Sequence, residues 1–185
     1  MAKFVGIAGS LRSDSYSQQV LNLVARHVEA LGGEVEILDL RTMTLPFCKG
    51  DGDYSDYPNV ERLRTAFHQA DGLILVTPEY HGSVSGVLKN TLDLMRFDQL
   101  SGKVAGMISV LGGKSSNNAL NDLRTILRAV HTWVIPEQIA IAQAWQVFSS
   151  DGKLQDKELL QQFDCFAQSL VESTAKLRRV ASVQH

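Results

Sequence analysis

Cysteine is scarce in this chain, and its placement gives no sign of a disulfide framework or a metal site. The 185 residues include two cysteines, Cys48 and Cys165, which stand far apart and form no CxxC pair. The five histidines are scattered along the chain, so no spacing predicts metal ligands. We therefore expect no metal, and two reduced thiols in a cytoplasmic protein.

Strong charge of one sign and long apolar runs are also missing. The formal net charge is −2, and no stripe of Lys or Arg is present that would neutralise nucleic-acid phosphates. Apolar stretches such as Gly72–Val76 are far shorter than the roughly 20 residues that span a bilayer. No signal peptide is expected after Met1. We expect neither a nucleic-acid partner nor a membrane partner.

Three short motifs each lack the residue that would carry their chemistry. Gly113–Ser115 would end a P-loop, but the first glycine of that loop would fall on Ile108. Asp51 would open a calcium loop, but Arg62 stands where a bidentate glutamate is required. The G-S-V-S-G stretch centred on Val84 has valine where a nucleophile elbow has its serine. None of these three activities is expected.

Short β-rich runs alternate with segments of helical periodicity over one expected domain, residues 1–185, with a flexible tail at 178–185. Strands are predicted at Lys3–Ala8, Glu34–Leu40, Gly72–Thr77, Val104–Leu111 and Trp133–Ile141. Helices are predicted at Tyr16–Leu31, Val60–Ala70, Val84–Met95, Asn118–Val130 and Asp156–Leu177. Strands separated by helices pair in parallel through right-handed crossovers. The pattern predicts an α/β fold, a three-layer doubly wound sheet of five parallel strands, with its ligand beyond their carboxyl ends.

The segment after the first strand has the composition of a phosphate site. Gly9–Gln18 reads GSLRSDSYSQ, which places serine hydroxyls and the Arg12 guanidinium immediately before a helix. Backbone N–H groups and the positive end of the helix dipole favour an anion there. Because no G-x-G-x-x-G pattern is present, a single phosphate is favoured over a pyrophosphate. The alternative is that Ser15 or Ser17 simply caps the helix.

The segments after the third and fourth strands suit a planar ligand. Thr77–Ser83 follows the third strand, and its Tyr80 would lie against an aromatic ring. Gly112 and Gly113 follow the fourth strand, where the lack of side chains would let the backbone approach a flat ligand closely. The ligand predicted from these segments therefore has a phosphate at one end and a ring at the other.

These motifs resemble those of the NADPH-dependent FMN reductase family, a flavodoxin-like group that includes chromate, quinone and azo-dye reductases. The resemblance rests on G-S-L-R-x-x-S at Gly9–Ser15 and on P-E-Y-[NH]-x-S followed by L-K-N-x-x-D at Pro78–Asp93. It covers residues 3–177 and implies a flavodoxin-like sheet with strand order 2-1-3-4-5. His81 stands where the family often has Asn, and Ser85 replaces a common proline at the start of the third helix.

The resemblance implies a bound FMN, with NADPH or NADH as the hydride donor. In the family the first loop binds the FMN phosphate and the two later segments hold the ring. The implied cofactor-binding residues are Ser10, Arg12, Ser15, Ser17, Gln18, Pro78, Glu79, Tyr80, His81, Gly82, Ser109, Gly112 and Gly113. No catalytic acid or base is implied, because the cofactor carries the reactivity. Lys89, Asn90 and Asp93 are expected to be structural or to lie at a subunit interface.

The implied activity is reduction of a small acceptor by NAD(P)H through FMN. The acceptor stays open among free FMN, a quinone, an azo dye and a chromate-like oxidant, and the loop from Arg41 to Pro58 would border the ring and help to select it. A homodimer or homotetramer is implied, with Phe97, Trp133 and Trp145 available for interfaces or for the core. Two alternatives stay open, a flavodoxin-type electron carrier without nicotinamide activity and a non-enzymatic ligand-binding module.

Overall fold

A parallel sheet with helices on both faces organises the chain, as the alternating pattern predicts. The computed structural model describes residues 1–50, 52–114, 116–149, 154 and 156–183. Asp51, Ser115 and the last two residues of the expected tail lie outside this described part. The strands are β1 (Lys3–Ala8), β2 (Glu34–Leu38), β3 (Gly72–Tyr80), β4 (Ser83–Val84), β5 (Val104–Val110) and β6 (Trp133–Ile141). The helices are α1 (Tyr16–Ala30), α2 (Pro58–Gln69), α3 (Gly86–Asp93), α4 (Phe97–Leu100), α5 (Asn118–Ala129), α6 (Ala144–Val147) and α7 (Lys157–Val183).

The five long strands lie in the order β2-β1-β3-β5-β6, and every pair among them is parallel. Since β4 is a two-residue antiparallel addition to β3, this is the predicted order 2-1-3-4-5 of a flavodoxin-like sheet, which is confirmed. The chain reverses direction across the sheet between β1 and β3, so a crevice opens at their carboxyl ends.

Two apolar layers hold the helices against the sheet. On one face α2, α3 and α5 pack through residues such as Phe67, Leu88 and Leu123. On the other face α1 and α7 pack through residues that include Val24 and Phe166. Both layers rest on the same central strands, which explains why β3 and β5 are apolar almost without alternation.

Several element bounds differ from the predicted ones for local reasons. The second strand ends at Leu38 because the Asp39 carboxylate accepts a hydrogen bond from Arg41 N at 3.0 Å and starts a 3₁₀ helix over Leu40–Thr42. The third strand runs on to Tyr80 because its last residues pair with β4. The last helix extends to Val183 instead of ending at Leu177. The short helices α4 and α6 are additional to the prediction.

Two features are absent from the described residues. Their helices include none with the length and hydropathy of a membrane-spanning segment. They also contain no group of three or more His, Cys, Asp or Glu side chains placed to hold a metal ion. Cys48 and Cys165 form no disulfide.

Candidate functional site

A cavity of about 350 Å³ opens at the carboxyl ends of β1, β3 and β5, within the usual size range of small-molecule sites. It brings together most of the predicted site residues from all three segments. The predicted residues that line it are Ser10, Arg12, Ser15, Ser17, Pro78, Glu79, Tyr80 and Gly112. The other lining residues are Asp14, Tyr16, Val110, Leu111, Ala144 and Trp145. The predicted residues Gln18, His81, Gly82, Ser109 and Gly113 do not line it.

Gly9 sets the path of the first loop. Its N–H donates to Val76 O at 2.8 Å and so extends the pairing of β1 with β3 by one residue. A Cβ on Gly9 would collide with Ser85 Oγ and lie 2.7 Å from Leu88 Cβ. Only glycine therefore lets the loop cross the start of α3 and deliver the buried Ser10 to the cavity.

Ser15 is the N-cap of α1, and it also lines the cavity. Its Oγ accepts a hydrogen bond from Gln18 N at 3.2 Å, so the expectation that Ser15 caps the helix is confirmed. A hydroxyl that accepts one hydrogen bond still has its O–H to donate. Ser15 and Ser17 therefore present hydroxyls beside the positive end of the α1 dipole, which is an arrangement suited to an anion.

Arg12 is paired with a carboxylate of its own loop. Its Nε lies 3.1 Å from Asp14 Oδ1 and its Nη2 lies 2.8 Å from Asp14 Oδ2. This hydrogen bond and the Asp14 charge raise the pKa of Arg12, and Arg12 in turn lowers the pKa of Asp14. Asp14 thus accepts two hydrogen bonds from the Arg12 guanidinium, as a phosphate would. The motifs gave no sign of this role for Asp14.

The P-E-Y motif is the end of a strand rather than a loop. Glu79 pairs with Val84 and Tyr80 with Ser83, and a two-residue turn joins β3 to β4. In that turn His81 has φ 52° and Gly82 has φ 75°, both in the left-handed region typical of a type I′ hairpin. Tyr80 lines the cavity and stays 47% exposed, so this aromatic side chain is available to a ligand.

Glu79 links this hairpin to the next helix. Its Oε2 accepts a hydrogen bond from Ala119 N at 3.1 Å, in the first turn of α5. A carboxylate is favoured at a helix N-terminus because of the dipole and the unpaired N–H groups. Glu79 is therefore a structural cap of α5 as well as a cavity residue.

Ser85 supplies the helix start that the missing proline would have given. Its Oγ accepts from Leu88 N at 3.2 Å and so caps α3. Its own N–H donates to Thr77 Oγ1 at 3.1 Å. Serine is one of the best N-cap residues, so α3 begins here without the proline that is common in the family.

The glycine loop after β5 is tied to the segment after β6. Gly113 O accepts from Gln143 N, and Leu111 O accepts from Ala144 N, both at 3.0 Å. A Cβ built on Gly112 or Gly113 would meet nothing within 4 Å. The loop therefore faces open space, with Gly112 at the cavity and Gly113 beside α6.

Two of the predicted residues that do not line the cavity are buried behind it. Gln18 points along α1, where its side-chain Nε2 donates to Asn22 Oδ1 at 3.1 Å. Ser109 is fully buried near the end of β5, and its Oγ has no hydrogen-bond partner within the described residues. Both lie in the elements that frame the cavity.

Trp145 and Ala144 are cavity residues that the motifs did not identify. From the sequence, Trp145 was expected only at an interface or in the core, because its neighbours match no motif. One general feature of the sequence could have located Trp145, since the carboxyl ends of all parallel strands meet at one edge of a sheet. An aromatic residue shortly after the last strand belongs at that edge.

The Arg41–Pro58 loop is held by α3. Asn90 Oδ1 accepts from Cys48 N, and Asn90 Nδ2 donates to Pro46 O, both at 2.9 Å. Cys48 Sγ donates to Asp93 O at 3.2 Å. Lys89 Nζ lies 2.7 Å from the Asp93 carboxylate. Asn90 and the backbone of Asp93 therefore position the loop, whereas the Lys89–Asp93 pair joins two side chains of α3. No described residue of the loop lines the cavity.

Comparison with known proteins gives a consistent picture. The model of the NADPH-dependent FMN reductase family matches residues 2–146. The chain is 30% identical to NADPH-dependent FMN reductase ArsH of Rhizobium meliloti (strain 1021) over 175 residues, 92% of this chain and 71% of that protein. It is 32% identical to FMN-dependent NADPH-azoreductase of Staphylococcus aureus (strain USA300) over 171 residues, 89% and 91% of the two chains. Among solved structures, FerB, an NAD(P)H:(acceptor) oxidoreductase from Paracoccus denitrificans, superposes with a TM-score of 0.78 at 25% identity, covering 95% of this chain and 98% of its own.

Proposed function

Since this chain belongs to the NADPH-dependent FMN reductase family, we propose that the cavity at the carboxyl ends of β1, β3 and β5 is its FMN site. The chain is an oxidoreductase, an NAD(P)H-dependent FMN reductase. When bound, FMN supplies the chemistry, accepting a hydride from the nicotinamide and passing electrons to an acceptor. One observation carries the assignment of the site. A serine- and arginine-bearing helix N-terminus, an accessible tyrosine and an unobstructed glycine loop line one cavity.

The residues at the α1 end fit the phosphate of FMN. Arg12 offers a planar pair of donors that matches phosphate oxygens bidentately. The hydroxyls of Ser10, Ser15 and Ser17 add neutral donors, and the α1 dipole adds positive potential. To bind the phosphate, Arg12 exchanges the Asp14 carboxylate for it, and both side chains are exposed enough to move (66% and 69%).

The residues at the β3 and β5 ends fit the flavin ring. Tyr80 offers an exposed aromatic side chain for stacking, and Pro78 and Glu79 form the strand wall beside it. Gly112 lets the backbone approach the ring, since nothing occupies the space where a side chain would stand. Gln18, His81, Gly82, Ser109 and Gly113 complete the frame of the site from behind or beside the cavity.

These side chains bind and orient the cofactor, and we assign no catalytic acid or base among them. The Glu79 carboxylate is already engaged with Ala119 N, which holds it as a structural acceptor. The role of the protein is then to place the ring and to leave one face accessible to the nicotinamide and then to the acceptor.

The acceptor is proposed to be a small oxidant, such as free FMN, a quinone, an azo dye or a chromate-like ion. Two of the similar proteins, an azoreductase and an NAD(P)H:(acceptor) oxidoreductase, support this range. We further propose NADPH as the preferred donor, with NADH as the alternative, and a cytoplasmic homodimer or homotetramer without nucleic-acid or membrane partners.

The test is the visible spectrum of the purified protein with FMN, followed anaerobically after NADPH addition. A bound-flavin spectrum that bleaches with NADPH and returns with a quinone or azo dye is the expected result. Bound FMN that neither NADPH nor NADH bleaches would favour the electron carrier, and lack of FMN binding would favour the ligand-binding module. Arg12→Ala tests the site itself, and Arg62→Ala, at an exposed position on α2, is its charge-matched control.

A further inference from the structure

The segment after β6 places an exposed tryptophan on the cavity rim. Trp145 lines the cavity and yet is 57% exposed. It is one of two tryptophans in the chain, and the other, Trp133, starts β6 at the opposite edge of the sheet. A large apolar side chain in this position is available to cover a ligand.

On one side this segment is anchored to the glycine loop. Gln143, in the left-handed conformation with φ 47° and ψ 48°, donates its N–H to Gly113 O at 3.0 Å. Ala144 donates to Leu111 O at the same distance and is buried. The backbone immediately before Trp145 is therefore attached to the ring end of the cavity.

On the other side the segment is anchored to the phosphate loop. Phe148 stacks on Tyr16, with ring centroids 5.6 Å apart and an interplanar angle of 18°. Tyr16 is the first residue of α1, directly after the N-cap Ser15. The segment thus spans from the glycine loop to the α1 N-terminus, and Trp145 lies between its two anchors.

We propose that Trp145 is a positioning residue that packs over the ribityl chain of bound FMN and slows its release. This inference rests on the proposed function, which puts the phosphate at the α1 end and the ring at the glycine-loop end. The part of FMN between those ends would be the ribityl chain, and Trp145 lines the cavity from the segment that joins them. Binding would bury indole surface that is exposed without the ligand, and the indole N–H would be free to donate to a ribityl hydroxyl or the phosphate.

Replacing Trp145 should change mainly the rate of FMN dissociation, because a side chain that covers the ligand stabilises the bound state. Trp145→Ala is expected to raise the FMN dissociation constant roughly tenfold, the scale typical of truncating a well-placed aromatic contact. Trp145→Phe should restore most of the affinity, because it keeps a flat apolar ring. Thermal stability of the flavin-free Trp145→Ala protein should match wild type, since the indole is exposed.

The experiment compares wild type, Trp145→Ala, Trp145→Phe and Trp133→Phe in the full chain. FMN dissociation constants and release rates are measured by flavin fluorescence, and tryptophan emission is followed during the titration. In Trp133→Phe the remaining Trp145 should lose most of its emission as FMN binds. In Trp145→Phe the remaining Trp133, roughly 30 Å away along a nine-residue strand, should keep much more.

The outcomes separate this inference from the proposed function. FMN binding to Trp145→Ala with wild-type affinity and release rate would overturn the role of Trp145 and leave the FMN site intact. Equal loss of emission from both tryptophans would also count against it. Failure of wild type and Trp133→Phe to bind FMN at all would overturn the proposed site, and this inference with it.

Discussion

The carboxylate of Asp14 holds the guanidinium of Arg12 by two hydrogen bonds of 3.1 and 2.8 Å. An anion of the protein itself therefore occupies the group that we assign to the FMN phosphate. Binding requires Arg12 to change partners, and the freed Asp14 then lies close to the negative phosphate. This competition makes the affinity for FMN sensitive to a residue that the motifs did not single out.

Asp14→Asn should tighten FMN binding by a few-fold, since it removes the competing charge from an exposed pair. Arg12→Ala should weaken binding much more, because it removes the charge-assisted contact altogether. Equilibrium titration at low and high salt measures both effects, which should shrink as salt rises. Glu61→Gln serves as the control, because it also removes one negative charge and Glu61 is exposed on α2. Weaker binding by Asp14→Asn would contradict the competition.

Gly9→Ala should destabilise the fold by about 1–3 kcal/mol, as expected when a methyl group is forced into a packed site. The added Cβ meets Ser85 Oγ and Leu88 Cβ, so the first loop would also shift and FMN binding would weaken. Gly86→Ala is the matched control, because its Cβ meets nothing within 4 Å and lies in a helix. Chemical denaturation should show Gly86→Ala to be neutral or slightly stabilising. Equal effects of the two changes would refute the packing argument.

His81→Asn should raise the free energy of unfolding modestly, because Asn-Gly is the preferred pair at the two positive-φ positions of such a hairpin turn. The residue has φ 52° in the turn between β3 and β4. The free energy of unfolding is measured by urea titration. His68→Asn, which lies within α2, should give no such gain. A destabilising His81→Asn would show that the imidazole makes a compensating interaction.

Asn90→Ala should release the Arg41–Pro58 loop, since one side chain holds the backbone of both Pro46 and Cys48. Loss of the two hydrogen bonds is expected to cost about 1–3 kcal/mol and to increase proteolysis near Lys49. If the loop also selects acceptors, the ratio of kcat/KM between a quinone and an azo dye should change. Lys89→Ala, on the same helix, is the control. Unchanged proteolysis would contradict the anchoring role of Asn90.

Lys103 should add a pH-dependent component to stability. Burial lowers the pKa of its ammonium, against smaller raising effects from Asp71 and Asp98, although the group also donates to His68 O and Ala70 O. Between its lowered pKa and its ordinary value of 10.5, the unfolded chain binds more protons than the folded one. The stability of wild type relative to Lys103→Met should therefore rise with pH in that window.

Urea unfolding of both proteins between pH 8 and pH 10.5 measures this difference. Lys157→Met, at an exposed position at the start of α7, should remain parallel to wild type over the same range. A difference between wild type and Lys103→Met that falls as pH rises would contradict the assigned direction.

The parallel pairing of the strands and the edge that carries the site follow from patterns readable along the chain, whereas the strand order 2-1-3-4-5 was implied by the resemblance to a known family. Apolar runs such as Gly72–Val76 predict strands buried on both faces, and the helical periodicity between strands requires parallel pairing. That geometry places the segments after β1, β3 and β5 together. The motifs at Gly9–Ser15 and Pro78–Asp93 then indicated the family, because each combines a local conformation with a specific chemistry.

Contacts between residues distant in sequence decided the rest. The pairing of Tyr80 with Ser83 turned an expected loop into a strand end, and the bond from Gln143 N to Gly113 O brought Trp145 to the cavity. Local periodicity carries no information about such partners, since each depends on where two separate segments meet after folding. The sequence by itself determined the fold, the family and the edge of the sheet that binds the ligand. The tertiary structure decided which side chains share the cavity, because that depends on packing across the whole sheet.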